Sequence, residues 1–333
     1  MSVVSVFIGC ATDDGFDDGS NIDYREEMRQ FVIGIAERAR VINPEFIIIP
    51  QNGNELVTLD GEADGPLAQG YVAAIDGVGR EDLFYGYDRD DRATDEGDRE
   101  YMLGFLARAE AAGVEAIVTD YCTTRDYVDD SYERNAGHGF ISFAADRDLA
   151  GIPSYPVTPW NAHDGDVTSL ADARNFLYLL DPWGFGSRQA YLDALRGTDH
   201  DLLIIDAYAP DAAGEDVTIL STAELASLKE KSGGGARLVV AYMSIGEAED
   251  YRPYWDESWE RDEPEWLAGE NRDWPGNYKV RYWMESWQSV ILGDGGAAAR
   301  SQPPDPDSYL GQILVAGFDG VYLDIIDAFE YFE

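Results

Sequence analysis

Short apolar runs that end in polar residues recur along most of the chain. They have the length and composition of strands buried in a parallel sheet, and amphipathic stretches separate several of them. The eight predicted strands are Phe46–Pro50, Tyr71–Ile75, Ala116–Thr119, Phe140–Ala144, Phe176–Leu180, Leu202–Ile205, Leu238–Met243 and Val321–Leu323. The predicted helices are Tyr24–Arg40, Arg99–Ala112, Ser187–Arg196, Thr222–Lys231 and Ser308–Ala316.

Eight strand–helix units with polar residues at the strand ends predict an α/β fold, a single (β/α)8 TIM barrel. The first strong element is a helix and the last is a strand, so we expect the barrel to be circularly permuted. Residues 1–23 are expected to form an N-terminal arm and acidic loop. Residues 24–333 are expected to form the barrel, with 151–174 joining its halves. The alternative is an open doubly wound sheet, although neither a G-x-G-x-x-G fingerprint nor a P-loop follows any strand.

The chain is strongly acidic. It has 24 Lys and Arg residues against 65 Asp and Glu residues, a net charge of −41, and it keeps 45% hydrophobic residues. Such a lysine-poor acidic surface is typical of proteins adapted to molar salt, where ions screen the repulsion. It disfavours nucleic acid and anionic membranes as partners, and no run is long enough to span a membrane. The cysteines and histidines lack ligand spacing, so no metal or other cofactor is expected.

Acidic and amide side chains dominate the predicted strand ends. No lysine is placed for a Schiff base and no histidine stands beside a serine or cysteine, which leaves metal-assisted chemistry or glycoside cleavage by a carboxylate pair. Asp324 and Asp327 follow the last strand on an apolar background, where an unpaired carboxylate is costly. Six of the eight tryptophans lie between positions 255 and 287. They are expected either to stack on sugar rings or to form a local aromatic core.

Several long motifs carry a family resemblance. YMSIGEAEDYRPYW (242–255), followed by PEWL (264–267) and WPGNY (274–278), resembles glycoside hydrolase family 114. GFDGVYLDIIDAFEY (317–331), FIIIPQNG (46–53) and REDLFYGY (80–87) resemble further segments of that family. The resemblance implies a (β/α)8 barrel that cleaves an α-linked galactosamine-type polysaccharide internally, as endo-α-1,4-polygalactosaminidases do. Segments similar to the family's second half occupy residues 24–150, and those similar to its first half occupy 175–333, in permuted order.

The resemblance also implies roles for individual residues. Asp324 and Glu81 are expected to form the catalytic pair, with Glu81 as the acid/base and Asp324 as the nucleophile. The residues expected to line the sugar subsites are Asp206, Tyr242, Glu249, Arg252, Gln51, Asn52, Asp120, Arg147 and Asp327. Activity on a polysaccharide implies an extracellular location, whereas the lack of a clear signal peptide indicates the cytoplasm. The oligomeric state is left open by the sequence, with a monomer expected. The alternatives are a non-catalytic carbohydrate-binding barrel and a metal-dependent barrel enzyme.

Overall fold

The computed structural model describes residues 22–211, 214 and 216–333, so all but the last two residues of the expected N-terminal arm lie outside it. Its α-helices are α1 (Tyr24–Ile42), α2 (Gln69–Val72), α3 (Glu96–Ala111), α4 (Arg125–His138), α5 (Arg188–Arg196), α6 (Thr222–Leu228), α7 (Glu285–Leu292) and α8 (Tyr309–Ala316). Its strands are β1 (Ile47–Pro50), β2 (Gly77–Glu81), β3 (Glu115–Tyr121), β4 (Ile141–Ala145), β5 (Phe176–Leu179), β6 (Leu202–Asp206), β7 (Tyr208–Pro210), β8 (Val217–Ile219), β9 (Leu238–Ser244), β10 (Glu247–Glu249), β11 (Leu267–Glu270), β12 (Asn277–Val280) and β13 (Gly320–Asp324). In the described part of the chain, no helix combines the length and apolar character needed to cross a bilayer.

The parallel strands form two sheets, which confirms an α/β fold. One sheet has the order β1-β13-β9-β6-β5 and the other the order β2-β3-β4. Isolated parallel bridges link Gln51 to Gly79 and Ser142 to Asn175, so β1 runs beside β2 and β4 beside β5. Because all these pairings are parallel, the strands direct their carboxyl ends to one common edge. Side chains at the strand ends therefore meet there.

The predicted strand Tyr71–Ile75 is wrong. Residues 69–72 form the short helix α2, and the strand lies further along, at Gly77–Glu81. The reason is visible at Gly79, where a Cβ atom would lie 2.2 Å from the Tyr322 hydroxyl oxygen. Strand β2 therefore needs a glycine at this position, because Tyr322 of β13 occupies the space of a side chain. Glycine weakens the sequence pattern that predicts a strand. Asp76 consequently lies at the amino end of β2, where it pairs with Arg40 at 2.8 Å.

Helix α1 follows from its sequence. Its apolar residues recur at helical spacing and are buried, and the Asp23 side chain accepts a hydrogen bond from the Glu26 amide at 3.0 Å. Such an N-cap satisfies an amide that the first turn leaves unpaired. The first turn also contacts the end of the chain, where Arg25 pairs with Glu333 at 3.0 Å. The helix therefore packs beside the segment that follows β13.

The tryptophan-rich segment packs largely on itself. Its strands β11 and β12 form a small antiparallel sheet with β10, in the order β10-β12-β11. Trp255 packs against Trp259, Trp259 against Trp266, and Trp266 against Trp287, with ring centroids 4.9–5.3 Å apart. Trp287 is fully buried and donates its indole N–H to the Ile245 carbonyl at 2.8 Å. Of the two explanations for these tryptophans, this row of ring contacts favours the local aromatic core.

A buried ion pair fastens the expected joining segment, residues 151–174, to the amino ends of the strands. Lys231 Nζ lies 3.0 Å from Asp201 Oδ1, and both side chains are almost wholly shielded from solvent. Lys231 also donates to the carbonyl oxygens of His163 and Gly165, and the His163 ring lies 3.0 Å from Asp201 Oδ2. Each charge is thus matched by several partners, which is what a buried charge requires.

Removing one partner of this pair should be costly. We expect Lys231→Met to lower the free energy of unfolding by about 3–5 kcal/mol, because it leaves the Asp201 carboxylate buried without its counter-charge. Lys229→Met is the matched control, since Lys229 pairs with Asp319 at the surface and such pairs contribute about 1 kcal/mol or less. Denaturant unfolding of both variants measures the difference. Equal losses would contradict the role given to Lys231.

Candidate active site

The carboxyl edge of the parallel strands carries strained backbone. Asn52, Asp82 and Ile325 have φ values of 61°, 62° and 56°, in the left-handed region that residues other than glycine rarely adopt. They follow β1, β2 and β13, which are neighbours at this edge. Such conformations cost about 1–3 kcal/mol each and cluster at functional sites. The residues around these three strand ends are therefore candidates for a functional site.

Asp324 is the last residue of β13, and it is buried. Its Oδ2 accepts a hydrogen bond from the Tyr242 hydroxyl at 2.5 Å, and its Oδ1 accepts one from the Ile325 amide at 2.8 Å. Burial, and after it the negative charge of Glu81, raises the pKa of Asp324 to about 7 against the opposing effect of the Tyr242 hydrogen bond. Asp324 thus holds its proton at a pH where an ordinary aspartate has lost it.

Glu81 is the last residue of β2 and lies at the same edge of the parallel strands. Its Oε2 accepts a hydrogen bond from Asn52 Nδ2 at 3.0 Å, and its Oε1 accepts a short one from the Tyr121 hydroxyl. The Asn52 Oδ1 in turn accepts from the Glu81 amide at 3.2 Å, which orients the asparagine toward the carboxylate. The two donors fix the orientation of the Glu81 carboxylate. Glu81 and Asp324 therefore interact electrostatically but have different surroundings.

A cavity of about 230 Å³ opens beside Glu81. Its lining is markedly acidic, with Arg80 as its basic residue among those that the structure describes. The residues that line it are Asn52, Gly53, Glu55, Arg80, Glu81, Asp82, Tyr87, Asp98, Tyr101, Met102, Asp327 and Glu330. Burial raises the pKa of Asp327, and the charges of Glu330 and Asp324 add to the effect. Of the residues expected at the sugar subsites, Asn52 and Asp327 are in this lining.

Arg147 forms an ion pair with Asp82, the residue that follows Glu81, and contacts the tyrosine that donates to Glu81. Arg147 Nη2 lies 2.8 Å from Asp82 Oδ1, and Arg147 Nε lies 2.5 Å from Asp90 Oδ1. The guanidinium also stacks over the Tyr121 ring, 4.0 Å from its centroid. Burial raises the pKa of Asp82 to about 7, and the ion pair with Arg147 opposes that shift. Arg147 therefore acts on the tyrosine that donates to Glu81, and its own charge is already paired.

Three of the expected subsite residues form a buried ionic group instead. Arg252 Nη1 contacts both carboxylate oxygens of Asp206, at 2.8 and 2.7 Å, and its Nε lies 2.7 Å from Glu249 Oε2. The Tyr251 hydroxyl donates to Glu249 at 2.5 Å. These contacts tie the end of β6 to the segment after β9. They leave Arg252 fully engaged by protein groups.

Asp120 and Gln51 are also engaged within the fold. The Asp120 carboxylate accepts hydrogen bonds from the Phe84 and Tyr85 amides at 2.8 and 3.1 Å, and from Ser131 Oγ at 2.6 Å. It therefore fixes the loop that follows Glu81. Gln51 Oε1 accepts from the Tyr178 hydroxyl at 2.9 Å, which reaches across from β5 to the end of β1.

Tyrosine hydroxyls are the part of the site that the sequence analysis missed. Tyr121, which donates to Glu81, and Tyr178, which donates to Gln51, were not expected at the site, and the Tyr322 ring lies 5.2 Å from that of Tyr178. A weak signal exists, because Tyr242 and Tyr322 each stand two residues before the end of their strands. Among the described residues, no three His, Cys, Asp or Glu side chains are grouped as they would be around a metal ion.

The fold and the site define an α/β protein with a carboxylate pair at the carboxyl edge of its parallel strands. Residues 187–332 match the model of the glycoside-hydrolase family GH114. The resemblance to this family is therefore confirmed over a range that contains Asp324, Tyr242 and the Asp206–Arg252–Glu249 group. Glu81 and Asn52 lie outside the matched range.

Three relatives match about half of the chain or less. An uncharacterized protein of Methanocaldococcus jannaschii is 37% identical over 166 residues, which are 50% of this chain and 41% of that protein. An uncharacterized protein of Deinococcus radiodurans is 33% identical over 157 residues, 46% of this chain and 43% of its own length. One of Thermotoga maritima is 47% identical over 92 residues, 28% and 24% of the two chains. The matches thus span less than half the length of each relative.

The raised pKa of Asp324 has a consequence for stability. Between about pH 4 and pH 7 the unfolded chain has released this proton while the folded protein keeps it, so ionisation costs the wild type stability as the pH rises. We expect Asp324→Asn to be more stable than the wild type at pH 8, by at most about 4 kcal/mol, and to lose this advantage at pH 4. Unfolding curves at both pH values measure it, with the exposed Asp262→Asn as control. A pH-independent difference would contradict the prediction.

Proposed function

We propose that the protein is a glycoside hydrolase in which Glu81 and Asp324 form the catalytic pair. The observation that carries the proposal is the coupling of these two buried carboxylates at one edge of the sheet, with Glu81 open to a cavity. Glycoside cleavage needs one carboxyl group that donates a proton and a second that stays ionised. Placing two carboxylates close together in a dry site separates their protonation states in this way. The match to family GH114 supports the same activity.

The surroundings of the two groups favour Asp324 as the proton donor. Asp324 keeps its proton to about pH 7, whereas Glu81 accepts hydrogen bonds from Asn52 and Tyr121 on both carboxylate oxygens. This is the reverse of the direction expected from the sequence, in which Glu81 donates the proton. The two directions make different predictions for the pH dependence of the reaction.

The acidic cavity favours a cationic sugar as the substrate. Its lining carries the carboxylates of Glu55, Asp98, Asp327 and Glu330 around Glu81. A polymer of partly N-acetylated galactosamine carries ammonium groups that complement such a surface. We therefore propose that the protein cleaves an α-linked, galactosamine-type polysaccharide internally. The acidic composition points to assays in molar salt.

We also propose that residues 24–333 form one closed, circularly permuted (β/α)8 barrel, joined at 151–174. The two isolated bridges support closure, because they connect the two parallel sheets on both sides into a ring of eight strands. The Arg25–Glu333 contact supports the permutation, because it brings α1 against the segment that follows β13. In a strand–helix repeat, that helix would follow β13 directly.

Replacing either carboxylate should abolish the reaction. We expect Asp324→Asn and Glu81→Gln each to reduce release of reducing ends from a partly N-acetylated α-1,4-galactosamine polymer by about 100-fold or more. The isosteric changes keep the shape of the site, and circular dichroism checks the fold. Asp262→Asn and Glu265→Gln, at exposed positions, are the controls. Full activity in either site variant would remove that residue from the pair.

The direction of proton transfer can be read from Tyr242→Phe. Loss of the Tyr242 hydrogen bond should raise the pKa of Asp324 further, because that bond stabilises the ionised form. If Asp324 is the proton donor, the basic limb of the kcat/KM profile moves up by about 0.5–1 pH unit. Movement of the acidic limb would instead make Asp324 the nucleophile. Tyr178→Phe, which removes a donor from Gln51, is the control.

A further inference from the structure

Exposed aromatic side chains are confined to one side of the molecule. In the described ranges, the exposed ones are Tyr101, Tyr127, Trp183 and Tyr251. Each lies in a segment that follows the carboxyl end of a parallel strand: β2, β3, β5 and β9 respectively. Trp183 is 54% exposed, which is unusual for the largest apolar side chain. None of the six tryptophans of the 255–287 segment reaches the exposed class.

The backbone holds Trp183 in this exposed position. It belongs to a short 3-10 helix, Pro182–Phe185, that begins directly after β5. The Asp181 side chain accepts a hydrogen bond from the Trp183 amide at 2.8 Å, and Gly186 ends the helix with φ 74°. Pro182 is buried, and Phe185 packs on Tyr191 with ring centroids 5.3 Å apart. Pro182 and Phe185 are thus packed against the protein, whereas the Trp183 indole is exposed to solvent.

Strand register relates Trp183 to the catalytic pair. Leu179 of β5 pairs with Ile205, Ile205 with Ala241, and Ala241 with Val321. Asp324 is three residues beyond Val321, and Pro182 is three residues beyond Leu179. Pro182 therefore lies level with Asp324 in the strand register, and Trp183 is one residue further along the chain. Strand β5 is three strands away from β13, which corresponds to about 14 Å along the sheet. The cavity beside Glu81 lies on the other side of Asp324, toward β1 and β2.

We infer that Trp183 is a sugar-stacking platform that binds the same polysaccharide chain on the side of the carboxylate pair opposite the acidic cavity. This inference rests on the proposed function, because it takes the ligand to be a polysaccharide. The C–H face of a pyranose ring is apolar, and an indole held outward by a rigid turn offers it a large flat surface at little entropic cost.

This platform would explain internal cleavage. A hydrolase that cuts within a chain must hold sugar units on both sides of the bond that breaks. The acidic cavity provides polar contacts on one side, and Trp183 provides an apolar face on the other. Glu81 lines the cavity, and β13, which ends in Asp324, stands between β1 and β5 in the strand order of the large sheet. A substrate too short to reach from the pair to Trp183 gains nothing from the indole.

Trp183→Ala tests the inference. We expect it to raise KM for the partly N-acetylated α-1,4-galactosamine polymer about 10-fold, with a much smaller change in kcat, because stacking acts on binding. Trp183→Phe should recover most of the loss. Ile42→Ala is the matched control, because Ile42 is 51% exposed but ends α1 at the amino edge of the strands. When Trp183→Ala and Ile42→Ala are each combined with Asp324→Asn, binding measurements give the dissociation constant of the polymer without turnover.

The outcomes separate this inference from the proposed function. If the wild type binds the polymer without cleaving it and Trp183→Ala weakens binding about 10-fold, the platform stands and the hydrolase proposal fails. If the wild type cleaves the polymer and Trp183→Ala has an unchanged KM, the platform is wrong and the hydrolase proposal stands. Equal weakening of a disaccharide and the polymer would also overturn the platform. Failure of the wild type to bind the polymer would overturn both.

Discussion

Two carboxylates placed at one sheet edge repel each other when both are ionised, and the rest of the site depends on this constraint. Burial and the charge of Glu81 hold the Asp324 proton in place to about pH 7. Glu81, in contrast, is bound by Asn52 and Tyr121. Both groups are buried, and among the residues that the structure describes neither carboxylate forms an ion pair with a basic side chain. A fold that relaxed here would let both carboxylates ionise and separate.

Much of the surrounding structure serves to prevent that relaxation. The left-handed backbone at Asn52, Asp82 and Ile325 turns the chain sharply after three adjacent strands, so that their last side chains point into the site. Arg147 braces Tyr121 by stacking and Asp82 by charge. Asp120 holds the loop after Glu81 through backbone amides. Residues expected to touch sugar from the motif resemblance therefore include several that stiffen the site.

The sequence predicted the alternating architecture well, because buried parallel strands and amphipathic helices leave strong local patterns. It failed at β2, where the strand GVGRE contains two glycines and two charged residues. Gly79 is needed only because Tyr322 of another strand occupies the space, and no local pattern encodes such a contact. Tyr121 and Tyr178 were missed for the same reason, whereas Tyr242 was among the expected residues. Tyr121 reaches Glu81 through a register that becomes known only when the strands are paired.

The position of β13 between β1 and β9 bears on how the protein folds. β1 is synthesised early and β9 later. Each lacks one of its two neighbouring strands until β13 pairs with both, since Gly320 of β13 pairs with Ile47 on one side and with Val240 on the other. Contacts this distant in sequence form slowly, and open strand edges invite mispairing meanwhile. Insertion of β13 therefore completes the large sheet and delivers Asp324 in the same event. Asp324 and Glu81 therefore come to one edge only when β13 has paired with β1, which ties the chemistry of the site to a contact between distant parts of the chain.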